Sequence, residues 1–201
     1  MWATMDVSKG KAFTEENYYQ QTFAGLALAD ETVSSITFEE CTFEACSFIS
    51  TRLTGVRFAG CKFNDCVMSA VIPMNSRFDG VAFKNCKTIG VDWTKTQMFR
   101  EITLKECQLN YSNFRLMKIP KLKMTGCEVI DADFTEADLS GGDFKNSNFE
   151  KTRFMKTNLT GADFKGARNY AIDPRANTLK KTRFSYPEVI TLLNSLDIII
   201  E

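Results

Sequence analysis

The sequence predicts an all-β solenoid in which the chain coils through short five-residue units and ends in a short helix. Three observations predict this fold class. A large apolar residue recurs at every fifth position over about 130 residues. All seven cysteines lie at one position of the unit, and eight of the eleven glycines lie at another. Neither a helical period of 3.6 nor the two-residue alternation of a strand produces this spacing, so the chain is a repeat protein.

The apolar positions form two series with one extra residue between them. Both series keep a spacing of five, and only Pro73 and Thr88 in them are not large apolar residues. Thirteen of the seventeen phenylalanines belong to these predicted core positions. The first series is Phe38, Phe43, Phe48, Leu53, Phe58, Phe63, Met68, Pro73, Phe78, Phe83, Thr88, Trp93 and Met98. The second is Leu104, Leu109, Phe114, Ile119, Met124, Val129, Phe134, Leu139, Phe144, Phe149, Phe154, Leu159 and Phe164.

Two further positions of the unit indicate how the chain coils. Small residues, including every cysteine, precede the core residue by two positions and are expected to fill a narrow interior space. Glycine, aspartate and asparagine are frequent two positions after the core residue, as at Gly55 and Asp65, which predicts one tight turn per unit. Cysteines recur twenty residues apart, as at Cys46 and Cys66. Four units therefore complete one coil, which rises by about 4.8 Å.

The chain divides into three parts around this repeat. Residues 1–35 keep a weak form of the period and are predicted to be an N-terminal cap, whereas residues 36–166 form the solenoid. Residues 167–201 form a C-terminal dimerisation module. The surplus residue near residues 99–103 predicts a bulge that points Phe99 and Arg100 outward. A tolerated insertion and a contact loop are both open interpretations of this bulge.

The C-terminal module is predicted to contain a short helix. Ser185 is suited to the N-cap and Pro187 to the first turn, and the apolar residues that follow have helical spacing. The isoleucines at the chain end would leave more apolar surface in water than a lone cap should. We therefore expect a homodimer through this module, and a purely intramolecular cap is the alternative. Its predicted interface residues are Val189, Ile190, Leu192, Leu193, Leu196, Ile198 and Ile200.

The repeat sequence resembles the pentapeptide-repeat family, whose motif is a small residue, then Asp or Asn, then Leu or Phe, then two variable residues. ADF, ADL, GDF, SNF and TNL between Ala132 and Phe164 match this motif. ECTFEACSF, from Glu40 to Phe48, is its cysteine-rich form. The resemblance implies that the all-β solenoid is a right-handed quadrilateral β-helix. A fold alone does not imply a function.

The order of three segments is similar to one branch of that family, the gyrase-protecting proteins. These segments are GVDWTKTQ at 90–97, DADFTEADLSG at 131–141 and FSYPEVITLLNSLDI at 184–198. The branch includes the Qnr quinolone-resistance proteins, the mycobacterial fluoroquinolone-resistance protein and, most similar in the tail and the cysteines, the albicidin-resistance protein. It implies a dimeric rod with DNA-like dimensions that binds DNA gyrase and sometimes topoisomerase IV. The chain lacks the long inserted loops of Qnr, which disfavours quinolones as its inhibitor.

Composition and charge exclude several other functions. The chain has no histidine. It also lacks a recognisable pair of nucleophile and general base, a phosphate-binding loop and a metal-binding motif. We therefore expect neither an enzyme nor a cofactor. The regular spacing of the cysteines favours structural thiols over a metal site. Twenty-five basic and twenty-five acidic residues cancel, which disfavours direct nucleic-acid binding. No signal peptide or membrane span is recognisable, so a cytoplasmic protein is expected.

An acidic segment is the candidate partner-binding surface. It contains six carboxylates and no lysine or arginine: Glu128, Asp131, Asp133, Glu136, Asp138 and Asp143. Near the centre of a dimer, these charges would stand where DNA phosphates lie and meet a basic DNA-binding surface. Asp before Leu or Phe is also the plain repeat motif, so a purely structural role is the alternative. Val67, Ile72 and Met74, around Pro73, are either a partner contact or a local distortion.

The sequence thus leads to two functional hypotheses. The first is a non-enzymatic DNA mimic that binds DNA gyrase, and possibly also topoisomerase IV, and protects it from an antibiotic or toxin, with a natural product favoured. The alternative is a structural or scaffold repeat protein that binds an unrelated protein. Gyrase supercoiling assays discriminate between them.

Overall fold

The chain forms a parallel β-solenoid, seen in a computed structural model that describes residues 13–196 and residue 198. Within that part, each strand is only three residues long, because two residues of every five form a corner. The strands are β1 (Asn17–Tyr19), β2 (Thr22–Ala24), β3 (Thr32–Ser34), β4 (Thr37–Glu39), β5 (Thr42–Glu44), β6 (Arg52–Thr54), β7 (Arg57–Ala59), β8 (Lys62–Asn64), β9 (Arg77–Asp79), β10 (Ala82–Lys84), β11 (Met98–Arg100), β12 (Thr103–Lys105) and β13 (Lys123–Thr125). The two 3₁₀ helices are Trp93–Lys95 and Glu188–Leu196.

Strands stack in parallel with residues twenty apart in register. One sheet has the order β1-β4-β7-β9-β11, a second has β13-β12-β10-β8-β5-β2, and β3 pairs with β6. Phe38 lies beside Phe58, for example, and Phe43 beside Phe63. Isolated bridges continue the same register beyond the strands as far as Asp163 and Arg183. The predicted quadrilateral β-helix with four units per coil is therefore confirmed.

The corners follow the predicted position, two residues after each core residue. Gly60 there has a φ of 62° and Asn75 a φ of 52°, in the left-handed region that these residue types tolerate. The position also holds residues that adopt this region rarely, such as Glu40 (φ 54°) and Leu116 (φ 61°). The reason is the hydrogen-bond ladder, in which the backbone N–H of Glu40 donates to the carbonyl of Ala59 in the next coil at 2.8 Å. Coil stacking thus imposes the corner on whichever residue stands there.

The interior is a set of columns of stacked apolar side chains. Rings one coil apart lie nearly parallel: the Phe43 and Phe63 centroids are 4.6 Å apart at 7°, and Phe114 and Phe134 are 4.8 Å apart at 6°. Rings on adjacent faces meet edge to face, as Phe43 does with Phe58 at 5.9 Å and 76°. Thr88 and Pro73, the two exceptions in the predicted core series, are also buried. Burial of these columns is the main stabilising contribution of the fold.

Each buried cysteine has a hydrogen-bonding role that the sequence did not reveal. The Cys61 thiol donates to the carbonyl of Phe38 in the preceding coil, at 3.3 Å. Ser76, at the same repeat position, donates its hydroxyl to the carbonyl of Leu53 at 3.1 Å. The position therefore suits a small side chain, and cysteine, serine and threonine there add a hydrogen bond that alanine cannot make.

The cysteines are expected to be unreactive in the folded protein. Burial raises the pKa of Cys61 to about 12, and the other thiols of the column are also buried. At pH 8 the native Cys61 thiol is then protonated, whereas unfolded cysteines, with a pKa of about 8.5, are partly thiolate. We expect 5,5′-dithiobis(2-nitrobenzoate) to titrate no thiol in the native chain within minutes and all seven in guanidinium.

The matched control for that titration is Lys62→Cys, because Lys62 is exposed on β8. This variant should show one fast-reacting thiol in the native state, which proves that the reagent detects an accessible cysteine on the solenoid. Fast reaction of two or more thiols in the unmodified chain would contradict the buried columns.

The frame shift differs from the prediction. The extra residue is absorbed between Trp93 and Phe99 by the short 3₁₀ helix, whose first turn is capped by the Asp92 carboxylate accepting from the Thr94 N–H at 3.2 Å. Phe99 pairs with Phe78 and is only 5% exposed, so the prediction that it points outward is wrong. Packing explains why Phe99 is buried, since its ring extends the aromatic column that contains Phe78. Met98, predicted to be a core residue, is instead half-buried.

The N-terminal coil begins inside the segment predicted to be a cap. Strands β1, β2 and β3 each pair with the equivalent strand of the next coil. Phe13 lies against the end of the first columns, with its ring 5.7 Å from Tyr18, 5.6 Å from Phe23 and 5.0 Å from Phe38. An aromatic side chain therefore covers the open end of the core.

The C-terminal module packs on the last coil. The Phe184 ring stacks on Phe164 at 5.5 Å, and Leu192 packs against the core from the 3₁₀ helix Glu188–Leu196. The Ser185 hydroxyl, predicted as an N-cap, instead accepts a hydrogen bond from the Gly166 N–H at 2.9 Å. Ser185 thereby ties the tail to the corner of the last regular coil.

Candidate functional site

The acidic residues predicted as a partner-binding surface form a band around the rod. The register places Glu128, Asp133, Asp138 and Asp143 in four separate columns, beside Asn148, Arg153, Asn158 and Asp163 respectively. Asp131 and Glu136 are exposed at corners, where φ is positive. The six carboxylates therefore lie outside the core as predicted, but they are distributed over all sides of the solenoid.

The aspartates of the band also stabilise the turns in which they lie. A carboxylate oxygen of Asp133 accepts from the Thr135 N–H at 2.9 Å, and one of Asp138 accepts from the Ser140 N–H at 3.0 Å. Asp143 accepts from the Lys145 N–H at 3.3 Å. These bonds close the local turn and explain why the repeat favours Asp or Asn before the core residue. A structural role is therefore present whether or not a partner binds.

Cations neutralise much of the band, and most of them come from other coils. Arg168 contacts Glu128 at 2.5 Å, and Arg153 contacts Asp133 at 3.5 Å. The other pairs are Lys145 with Asp143 at 3.0 Å and Lys156 with Glu136 at 3.8 Å. Most of these partners follow the carboxylate by twenty or more residues, which is the length of a coil. These cations lie outside the sequence between Glu128 and Asp143, so a count of charges in that segment does not include them. The twenty-residue register could have identified them.

Asp131 and Asp138 are the carboxylates of the band without a cation within 4.0 Å in the described part of the chain. Asp138 accepts from the Asn158 amide at 3.0 Å, which leaves its negative charge uncompensated. Asp163, which the sequence reasoning missed, lies beside Asp143 and shares Lys145 with it, at 3.6 Å. Hydrogen bonding and proximity to Asp143 raise the pKa of Lys145. The band is thus less negative than its six carboxylates alone suggest.

Arg100, predicted as a loop contact, lies on the surface of β11. Its guanidinium donates to both carboxylate oxygens of Asp79 in the preceding coil, at 2.7 and 2.6 Å. This bidentate bond lowers the pKa of Asp79. Arg100 is therefore already engaged within the chain, and it holds the coil that follows the frame shift against the one before it.

The predicted dimer residues separate into three groups. Val189, Ile190 and Leu192 are half-buried. Leu193, Leu196 and Ile198 are exposed, by 37%, 39% and 53% respectively. Ile200 lies outside the described residues. The helix therefore directs one side to the core and leaves an apolar side in solvent, which is an arrangement typical of an association surface.

The apolar residues around Pro73 belong to a regular coil. Ile72 forms a bridge with Arg52, and the Leu53 N–H donates to the Ile72 carbonyl at 2.9 Å, so the ladder continues through this point. Val67, Ile72 and Met74 are half-buried on the outside of that coil. The hydrogen-bond ladder is therefore not distorted at Ile72. The role of these residues in contacting a partner stays a prediction.

Within residues 13–196 and 198, no group of three or more acidic or cysteine side chains is arranged to hold a metal ion. In the same part of the chain, no helix combines the length and apolarity required to cross a membrane. The geometry of the site is therefore that of an extended surface on a rod.

Comparisons with known proteins agree with this architecture. Residues 36–114 match the family model for a pentapeptide repeat region, and residues 132–168 match the model for pentapeptide repeats. No curated protein sequence matches the chain significantly.

Solved structures give the same fold. A trypsin-treated form of QnrB1, a plasmid-mediated fluoroquinolone resistance protein, has 21% identity and a TM-score of 0.62, and the match covers 88% of this chain and 99% of that one. Full-length QnrB1 has 19% identity and a TM-score of 0.60, with 90% and 100% covered. HetL, a pentapeptide repeat protein from the cyanobacterium Nostoc sp. strain PCC 7120, has 14% identity and a TM-score of 0.35, with 85% and 90% covered. At these identities the likeness to QnrB1 shows the fold alone.

Proposed function

Since the chain belongs to the pentapeptide-repeat family, whose models match more than half of its residues, we propose that it binds DNA gyrase as a homodimer and protects the enzyme from a toxic natural-product inhibitor. Topoisomerase IV is the second target of the proposal, and the protein acts without catalysis of its own. The observation that carries the proposal is the similarity in fold to QnrB1, a fluoroquinolone resistance protein, over 99% of that chain. The similarity of segments 90–97, 131–141 and 184–198 to the gyrase-protecting branch supports it.

The surface chemistry supports binding through charge. Asp131 and Asp138 have no cation within 4.0 Å in the described chain, and the remaining carboxylates of the band are bound to exposed lysines and arginines. Exposed ion pairs of this kind are worth about 0–1 kcal/mol, so a strongly basic partner surface can compete for these carboxylates. A rod that meets the DNA-binding surface of gyrase in this way would compete with DNA.

The structural role of the acidic residues is compatible with the second candidate function, a scaffold that binds an unrelated protein. Asp133, Asp138 and Asp143 each close a local turn, so the acidic band has a sufficient structural explanation without a gyrase partner. The two candidates are separated by whether the purified protein acts on gyrase.

We expect neutralisation of the band to weaken gyrase binding without unfolding the rod. The variant Asp131→Asn/Glu136→Gln/Asp138→Asn removes three charges and keeps an oxygen acceptor at each position. The concentration that half-protects supercoiling should rise about tenfold at 50 mM salt and less at 200 mM, because salt screens surface charge. Gyrase supercoiling, with and without a panel of natural-product inhibitors, measures this concentration.

The matched control removes three charges from corners in the N-terminal half, the position that Asp131 and Glu136 occupy in the band. Asp30→Asn/Glu40→Gln/Asp65→Asn changes residues that also have positive φ, and its effect should stay below about twofold. If the unmodified protein neither inhibits nor protects gyrase at micromolar concentration, the scaffold function replaces the gyrase proposal. Equal effects of the two triple variants would contradict the role of the band alone.

A further inference from the structure

A cleft opens between two coils at the frame shift. It has a volume of about 630 Å³ and lies between residues 99–103 and residues 118–123. A smaller hollow of about 290 Å³ adjoins it, and Trp93 and Gln97 contribute to its wall. Both hollows include Phe99, Arg100, Lys118 and Ile119, so they form one continuous depression on this side of the rod.

The cleft exists because the β-ladder is interrupted there. The first sheet ends at β11, and no backbone hydrogen bond joins β11 to residues 118–120 in the described chain. The columns on either side remain paired, through Asp92 with Asn113 and through β12 with β13. Pro120 contributes to the interruption because it has no N–H to donate. One side of the solenoid therefore opens while the rod remains continuous.

The open edge exposes backbone donors that are paired elsewhere. In the preceding coils, the Gly80 N–H donates to the Arg100 carbonyl at 3.1 Å, and the Arg77 N–H donates to the Val56 carbonyl at 2.8 Å. The equivalent N–H groups of Glu101 and Lys118 have no such partner among the described residues. The buried indole N–H of Trp93 also has no hydrogen-bond acceptor there. The cleft thus offers the backbone N–H groups of Glu101 and Lys118 to a ligand that carries acceptor atoms.

The cleft is also positively charged. Arg100, Lys118, Lys121 and Lys123 line it, against the single carboxylate of Glu101. Arg100 is bound to Asp79, whereas the three lysines have no carboxylate within 4.0 Å in the part of the chain that the structure describes. Lysine ammonium groups and free N–H donors together select an anion.

Apolar groups form the floor of the same depression. Phe99, Ile119 and Leu122 are almost fully buried and contribute to its lining. A volume of several hundred cubic ångströms with an apolar floor and a few polar groups is typical of small-molecule sites. The occupant must therefore combine an apolar body with a negative charge.

We propose that this cleft binds a small amphipathic anion, in which an aromatic or branched aliphatic body carries a carboxylate or sulfonate group. The body lies over Phe99 and Ile119, and the anionic group binds the ammonium groups of Lys118 and Lys121 and the N–H of Lys118. The proposal is independent of gyrase, since it uses no residue of the acidic band, although Lys118 lies beside Asp138 and Lys123 beside Asp143 in the ladder.

Intrinsic fluorescence tests the proposal directly, because Trp93 borders the cleft and the only other tryptophan is Trp2. A Trp2→Phe chain is titrated with 1-anilinonaphthalene-8-sulfonate and with N-phenyl-1-naphthylamine, a neutral molecule of similar shape. We expect saturable quenching of Trp93 by the sulfonate and binding at least tenfold weaker for the neutral amine. Addition of salt should weaken the binding of the sulfonate.

Variants locate the bound anion. In the Trp2→Phe chain, Lys118→Gln/Lys121→Gln should weaken sulfonate binding at least tenfold, whereas the matched pair Lys62→Gln/Lys84→Gln on other exposed surface should change it less than twofold. Leu193→Gln/Ile198→Gln should leave it unchanged, which excludes the exposed apolar tail as the binding surface.

Three results would overturn the proposal: no saturable quenching, equal affinity for the neutral amine, or equal effects of the two lysine pairs. Circular dichroism melting confirms that each variant is folded. Gyrase takes no part in these measurements, so their failure is distinguishable from failure of the proposed function.

Discussion

Replacement of Phe134 by alanine is expected to lower the free energy of unfolding by about 4 kcal/mol. Phe134 is fully buried, and its ring stacks between Phe114 at 4.8 Å and Phe154 at 5.5 Å, both at an interplanar angle of 6°. Alanine removes both contacts and leaves a cavity inside a column whose backbone is held by the ladders on each side. The coil cannot collapse around the cavity without breaking those ladders.

This loss corresponds to a fall in Tm of roughly 8–16 °C for a chain of this length. Differential scanning calorimetry measures it. Phe134→Leu retains most of the volume and should cost less than half as much, whereas Met155→Ala, at a residue that is 55% exposed, should shift Tm by about 2 °C or less. If Phe134→Ala and Met155→Ala gave equal shifts, the stacked column would not be the source of stability.

Disruption of the exposed tail is expected to convert a dimer into a monomer. Leu193 and Ile198 are exposed by 37% and 53%, and Leu192 beside them already packs on the core. Leu193→Gln/Ile198→Gln therefore removes apolar surface available to a second copy while leaving the intramolecular contact of Leu192. The mass in solution should fall from twice the 22.7 kDa of the chain to that value.

Sedimentation equilibrium measures this change, and an exposed apolar pair elsewhere supplies the control. Leu116→Gln/Met155→Gln alters residues that are 65% and 55% exposed on the coils, and it should leave the dimer intact. An unmodified chain that sediments as a monomer at all concentrations would contradict the dimer. If the tail variant stayed dimeric, the interface would lie elsewhere on the rod.

The acidic band shows why a correct repeat did not suffice to predict the site. The outward positions of Asp133 and Asp138 follow from the repeat, since they precede a core residue. Their electrostatic environment does not, because Arg153 approaches Asp133 from the next coil, whereas Asp138 lies between Lys118 and Asn158 in the ladder and forms no ion pair within 4.0 Å in the described chain. A local window of sequence counts charges along the chain, whereas the field at the surface depends on neighbours one coil away.

The frame shift shows a second limit. One extra residue is evident from the spacing, and the sequence pattern placed it between Met98 and Leu104, after the point where the structure absorbs it. Packing determines its position, because the Phe99 ring is buried against Trp93, with ring centroids 4.7 Å apart, and Met98 is left half-buried. The interrupted ladder and the basic cleft beside Lys118 follow from that choice, and neither has a signature in the sequence.

The five-residue period by itself determined the solenoid, the four columns, the buried cysteines and the corners, because every unit repeats the same local choice between interior and solvent. Only the tertiary structure decided where the surplus residue is absorbed, which carboxylates are neutralised and where one side of the rod opens. These features depend on contacts between residues about twenty apart, and such contacts arise from the stacking of coils rather than from the preferences of any single unit.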